Sequence, residues 1–229
     1  MADVIRTLAR AAALSLALAS CGAPETIPAD AVRTVVSLDK IDCAECGDEI
    51  VTALRERPGV YKASFNKRTA EITVFASREF DVFTAVKQLA SVEGFVAVLG
   101  GGKGRYLDWA AFPPGADVQT VAKSGEDVPD LKPHLATGKV TVVDFSAIWC
   151  EPCRKLDEHM AKLLAGRSDV AYRKLDIGDW DTPLAKRYLK SVPALPYVIV
   201  FGANGLRVSE IAGLDLARVD QAIAEAAKP

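Results

Sequence analysis

Four of the chain's five cysteines form two Cys-x-x-Cys pairs, and each pair sits where a strand-like run gives way to a helical period. Cys43 and Cys46 open a run through Arg57 that sets Ile50, Val51 and Leu54 on one helical face before Pro58-Gly59 stops it. Cys150 and Cys153 lie within Trp149-Cys150-Glu151-Pro152-Cys153-Arg154, after the apolar run Val140 to Phe145. The fifth, Cys21, closes an apolar leader. No thiol is left over for a scattered disulfide framework.

Two breaks in composition assign the pairs to separate units. The stretch 22–31 is polar, carries Pro24 and Pro28, and reads as a tether; Gly100-Gly101-Gly102-Lys103-Gly104 followed by Pro113-Pro114-Gly115 marks a linker over 100–116. The expected domains are therefore 32–99 and 117–229. Half of the residues are hydrophobic, enough for two small cores. The net charge of −2 and the lack of a basic stripe with interleaved aromatics argue against nucleic acid as a partner.

In the first unit, Val32 to Leu38 is β-branched, Tyr61, Ala63 and Phe65 alternate with polar residues, and Ile72, Val74 and Ala76 repeat the alternation after a turn at 66–68. Asp81 to Val92 suits a second helix and Phe95 to Leu99 a last strand. The order β-α-β-β-α-β is that of a ferredoxin-like split unit. Across Arg33 to Leu99, the residues Asp42-Cys43-Ala44-Glu45-Cys46, Pro58-Gly59-Val60 and Gly94-Phe95 resemble a heavy-metal-associated domain, the fold of copper chaperones. The resemblance implies Cu(I), or another soft ion, at Cys43 and Cys46. Lys40-Ile41 stands where that family usually has Gly-Met.

Chemistry supports a metal at this pair, because two thiolates three residues apart suit the low-coordinate sulfur site that Cu(I) accepts and hard cations refuse. Asp39, Asp42, Glu45, Asp48 and Glu49 crowd the pair with negative charge, which disfavours thiolates in the metal-free state and attracts cations. A slow nucleophile and a fair ligand is the expectation. A disulfide is the alternative in an oxidising compartment.

In the second unit, a strand over Val140 to Phe145, a helix from Cys150, a strand over Ala171 to Asp176, a helix over Thr182 to Leu189, a hairpin of Tyr197–Phe201 with Leu206–Ala212 and a closing helix over Leu214 to Ala227 give a mixed sheet covered by helices. Val143-Asp144-Phe145-Ser146-Ala147-Ile148-Trp149-Cys150-Glu151-Pro152-Cys153-Arg154 resembles a thioredoxin active site. Further along, Lys174, Pro196 and Gly213 match that family's lysine near the buried aspartate, its cis-proline and its glycine after the last strand. Glu151 stands where thioredoxin itself has Gly, a departure reminiscent of exported thioredoxin-like reductases.

The resemblance implies a redox-active Cys150–Cys153 disulfide and no organic cofactor. Cys150, at a helix N-terminus, is expected to attack, and Cys153 to resolve the mixed disulfide. Trp149 belongs to the same motif. Asp144, buried behind the pair, is expected to have a raised pKa and to relay a proton with Lys174 tuning it, while a cis Leu195-Pro196 bond presents backbone to substrate. His134 and His159 have no ligand partner at metal spacing and are expected to be surface or packing residues.

The leader sets the compartment. Arg6 and Arg10 precede an apolar run, Ala11 to Ala19, too short to span a bilayer, and Leu18-Ala19-Ser20-Cys21-Gly22 resembles a bacterial lipobox. That resemblance implies a signal peptide over 1–21, acylation at Cys21, and a periplasm-facing membrane anchor, with Gly22 favouring the outer membrane. The combined expectation is a membrane-anchored thiol–disulfide oxidoreductase, a reductase, serving soft-metal handling. Its partners would be client protein thiols or disulfides, a copper protein and an upstream membrane reductant. Two alternatives stay open: a metal-delivery protein whose second domain only recognises partners, and a disulfide oxidant or isomerase.

Overall fold

The computed structural model describes residues 26–228; the leader and Cys21 lie outside the described residues. The first unit opens with β1 (Val32–Ile41) and continues through α1 (Ala44–Arg55), β2 (Val60–Asn66), β3 (Glu71–Ala76), α2 (Val82–Val92) and β4 (Val96–Leu99). The strands form an antiparallel sheet in the order β2-β3-β1-β4. Alternation drives it: Ile72, Val74 and Ala76 of β3 are buried while Glu71, Thr73 and Phe75 are half-buried, so a slip of one residue would turn the apolar set to solvent. The register sets Val36 opposite Ile72. Ile50, Val51 and Leu54 of α1 and Val82, Val86 and Ala90 of α2 close one core with Val36, Leu38 and Ala63.

The pair Lys40-Ile41, which stands where the resemblance gives Gly-Met, has a local cause. Lys40 adopts φ +61°, the left-handed region that favours glycine, and Ile41 beside it is fully buried, filling the core as a methionine would.

The segment 100–116, expected as a linker, is packed rather than free. A short strand, β5 (Arg105–Tyr106), runs parallel to β1, and the Tyr106 hydroxyl donates to the Lys67 carbonyl at 2.8 Å. Gly104 lies against the Thr69 and Ala70 backbone, where any Cβ would collide with a carbonyl oxygen. That glycine serves close approach, not flexibility. Trp109 and Phe112 then pack on the second unit, with the Lys174 ammonium 4.3 Å from the Trp109 ring centroid.

The second unit adds β6 (Asp117–Ala122), β7 (Val140–Ser146), α3 (Glu151–Leu164), β8 (Val170–Asp176), α4 (Pro183–Tyr188), β9 (Tyr197–Phe201), β10 (Arg207–Ala212) and α5 (Leu216–Ala226). The sheet order is β10-β9-β7-β8-β6, with β6, β7 and β8 parallel and β9 and β10 antiparallel. β7 is central and buried along its whole length, as its continuous apolar run requires. On one face Leu156, Met160 and Leu164 of α3 pack with Val219, Ala222 and Ile223 of α5; on the other, Leu184 and Ala185 of α4 pack over Val143 and Phe145. Among the described residues no helix is long and apolar enough to cross a membrane.

Candidate functional site

β7 delivers the chain directly into the second cysteine pair. Past Ser146 it turns through Ala147, Ile148 and Trp149, and Cys150 becomes the N-cap of α3, its Sγ accepting the Cys153 N–H at 3.2 Å. Pro152 lies in the first turn, where a missing N–H costs nothing. Cys150 and Cys153 are disulfide-bonded with Cα atoms 5.3 Å apart. Once reduced, Cys150 faces the unpaired N–H groups and positive dipole end of a fourteen-residue helix, which stabilise a thiolate. Cys153 is fully buried and Cys150 only 5 % exposed. The Trp149 indole is pinned by a 2.8 Å hydrogen bond to the Gly178 carbonyl. Glu151, the departure from the family pattern, is ion-paired with Lys155 one turn along the helix.

Asp144 is fully buried, and its Oδ1 has no hydrogen-bond partner. Desolvation, then the charge of Asp157, push its pKa up to about 7 against the hydrogen bond from Tyr172 and the charge of Lys174. The Tyr172 hydroxyl lies 2.8 Å from Asp144 Oδ2 and 2.9 Å from Asp157 Oδ1. A phenol owns one proton, so one of the two carboxyls must bring its own. Asp157 is hydrogen-bonded and ion-paired to Lys174, which leaves Asp144 as the neutral acid. Burial and the two carboxyls also push the Tyr172 hydroxyl well above its usual pKa, so it stays protonated.

Lys174 acts on Asp144 at one remove. It is the register partner of Asp144 across β7 and β8, but its ammonium bonds Asp157, and it reaches Asp144 only through its charge. Asp157 and Tyr172 were not anticipated from the sequence. The one signal was spacing: Asp157 follows Cys153 by four residues, which puts both on one face of α3.

Pro196 follows a cis peptide bond, its carbonyl accepts the Gly213 N–H at 2.9 Å, and Leu195 is buried in the same apolar cluster as Cys150 and Trp149. Cys150, Cys153, Trp149 and Leu195 thus share one apolar cluster. His159 pairs with Asp220 at 2.7 Å, and the His134 carbonyl accepts from Arg173; neither histidine joins a cysteine.

The first pair repeats this local geometry. Cys43 is the N-cap of α1, its Sγ accepts the Cys46 N–H at 3.2 Å, and the two are disulfide-bonded with Cα atoms 5.4 Å apart. The expected contrast in sulfur acidity is weakened, because Cys43 has the same helix-end stabilisation as Cys150. The acidic crowd is thinner as well. Asp39 is bonded to Arg105 at 2.8 Å, and Asp42 is ion-paired with Arg154 of the second unit. Among the described residues no cluster of three or more His, Cys, Asp or Glu could hold a metal ion, so any ion at this pair relies on the two sulfurs.

Residues 130–225 match the thioredoxin family model. Thioredoxin-2 of Saccharomyces cerevisiae is 36 % identical over 91 residues, covering 39 % of this chain and 84 % of the relative. Thioredoxin of Ovis aries is 31 % identical over 92 residues, covering 40 % of this chain and 84 % of the relative. Spinach chloroplast thioredoxin F aligns in structure at 26 % identity over 49 % of this chain and 96 % of that one, with a TM-score of 0.40. With most of a whole relative spanned at such identity, this chain belongs to the thioredoxin family and is a thiol–disulfide oxidoreductase.

Proposed function

We propose that the chain is an exported, lipid-anchored thiol–disulfide reductase coupled to a soft-metal site on a ferredoxin-like, heavy-metal-associated domain. One observation carries the coupling: a second cysteine pair, Cys43–Cys46, caps a helix in the same chain with the same local geometry as the catalytic pair. The strand order β2-β3-β1-β4 with both helices on one face supports the fold of that domain. The donor set fits Cu(I) as cargo. Two thiolates from one loop satisfy a low-coordinate soft ion, whereas a tetrahedral zinc site would need two further ligands.

The disulfide itself explains why a reductase belongs here. Bonded sulfurs have no thiolate to offer a metal, so the site exists only while Cys43 and Cys46 are reduced. A periplasm-facing compartment, supported by the lipobox-like Leu18 to Gly22, oxidises such pairs. In each cycle Cys150 attacks a client disulfide, Cys153 attacks the resulting mixed disulfide, and Asp144 holds or releases the proton beneath. Client proteins of the copper-handling kind, a copper protein partner and an upstream membrane reductant complete the scheme.

Two measurements test it. Anaerobic titration of the reduced chain is expected to show one equivalent of Cu(I) bound, lost in Cys43→Ser/Cys46→Ser. Reduction of insulin by a dithiol is expected to be accelerated by the chain and abolished by Cys150→Ser. Undiminished Cu(I) binding in the double variant would overturn the metal site, and undiminished insulin turnover in Cys150→Ser would overturn the redox assignment.

A further inference from the structure

The two cysteine pairs are not merely in one chain; their helix ends are docked on each other. The Ala44 N–H, first residue of α1, donates to the Trp149 carbonyl at 3.2 Å. These residues are the immediate neighbours of Cys43 and Cys150. With standard bond lengths on either side of that contact, the Cys43 and Cys150 Cα atoms lie at most about 8.5 Å apart. A disulfide needs about 4.4 to 6.8 Å, so a shift of roughly 2 to 4 Å at most separates the two residues from bonding geometry.

The surrounding contacts form a specific interface. Arg154 of α3 donates to the Asp42 carbonyl at 2.7 Å and pairs with the Asp42 carboxylate, although its own side chain is only 8 % exposed. Burial lowers the Arg154 pKa, yet a guanidinium stays charged, and Asp42 is the carboxylate that answers it. On the far side, the turn between β2 and β3 reaches over the loop after β8: Lys67 pairs with Asp179 at 2.8 Å, Arg68 with Asp179 and Asp181, and the Lys67 ammonium lies 4.2 Å from the Trp149 ring centroid. Ala44 is 4 % exposed and belongs to the apolar cluster of Trp149, Cys150 and Leu195. The catalytic sulfur, itself nearly buried, thus lies in one apolar cluster with a residue of the first domain.

The sulfurs of the first pair are also not equivalent. Cys46 packs against the core of its own domain, whereas Cys43 directly precedes the docked Ala44. We infer that Cys43–Cys46 is a built-in substrate of Cys150–Cys153, the two disulfides forming an intramolecular relay. This presupposes the redox role of Cys150 and Cys153. The Cys150 thiolate attacks Cys43 Sγ, the Cys43–Cys46 bond breaks, and Cys46 leaves as a thiolate at the N-terminus of α1, which stabilises it. Cys153 loses its proton, attacks Cys150 Sγ and releases Cys43; the protons given up by Cys150 and Cys153 are balanced by those that the Cys46 and Cys43 thiolates take from water. Two electrons and two protons pass from the Cys150/Cys153 dithiol to the Cys43/Cys46 disulfide, and an external dithiol restores the donor. The product is the reduced pair that a soft cation requires.

The test uses the full chain with Cys153→Ser, which stalls the relay at the mixed disulfide. After brief reduction, acid quench and alkylation, peptide mass spectrometry is expected to find Cys150 joined to Cys43 at least 10-fold more than to Cys46. That yield should not depend on protein concentration. Adding Asp42→Ala should slow its formation at least 10-fold, while insulin reduction by a chain carrying Asp42→Ala with Cys153 intact should be retained. Linkage only between chains, or to Cys46, would overturn the relay. So would no linkage in Cys153→Ser when the unmodified chain reduces insulin, an outcome that leaves the oxidoreductase role standing. Failure of both reactions would instead remove the redox role on which the relay rests.

Discussion

Replacing Asp144 with asparagine should make the thioredoxin-family domain less stable in acid and more stable in mild alkali. The carboxyl titrates near 3.8 in an unfolded chain and at about 7 in the native one, raised by burial and by Asp157. Between those values the native state keeps a proton that the unfolded state loses, so stability falls as pH rises and levels off above the native pKa. At about 1.4 kcal/mol per unit, the full penalty is on the order of 4 kcal/mol. At pH 4.5 it is only about 1 kcal/mol. Asparagine never ionises and can still donate to Tyr172, but a second N–H left unpaired at this buried position costs about 1 to 3 kcal/mol. The absolute effect depends on that cost; the change with pH does not. Between pH 4.5 and 8 the stability of Asp144→Asn relative to the parent should therefore rise by about 3 kcal/mol. All three tryptophans, Trp109, Trp149 and Trp180, pack on or belong to this domain, so fluorescence-monitored urea unfolding reports on it. With a slope of about 2 kcal/mol per molar, the relative midpoint should move by about 1.5 M. A movement below about 0.5 M would refute the neutral, buried acid.

Other substitutions test the remaining geometry. Tyr172→Phe removes the hydroxyl shared by Asp144 and Asp157; it should cost about 1 to 3 kcal/mol in urea unfolding and move the Asp144 carboxyl titration, followed by NMR, above its parent value. Gly47→Ala drives a methyl into the Phe65 ring across α1 and β2, and should lower the stability of the first domain by about 1 to 3 kcal/mol, measured by hydrogen exchange of its β-strand amides. At Lys40, whose φ is +61°, valine should be less stable than glycine by at least about 1 kcal/mol by the same exchange; equal protection would deny a left-handed backbone there.

Much of both domains was legible because it follows local rules. The alternation of Ile72, Val74 and Ala76 demanded a one-faced strand, the unbroken run Val140 to Phe145 a buried central one, and Asp81 and Thr182 stood at the starts of the helices that they cap. β6 was not legible as a strand, since Gln119 and Thr120 are exposed on a sheet edge and carry no apolar alternation. The glycines of 100–104 were misleading for a similar reason: composition cannot tell a glycine kept for freedom from one kept for close approach.

By itself the sequence determined where the two cysteine pairs fall, at helix N-termini after strands, and which family the second one joins, because spacing and neighbouring residues are carried by the chain locally. Only the tertiary structure decided what lies around them. Asp157 and Tyr172 meet Asp144 because a helix and two strands converge there, and Arg154 finds Asp42 across 112 positions of sequence. No periodicity records such meetings. They arise when separately formed surfaces bury charge and must pair it, and here that pairing brings one disulfide to the other.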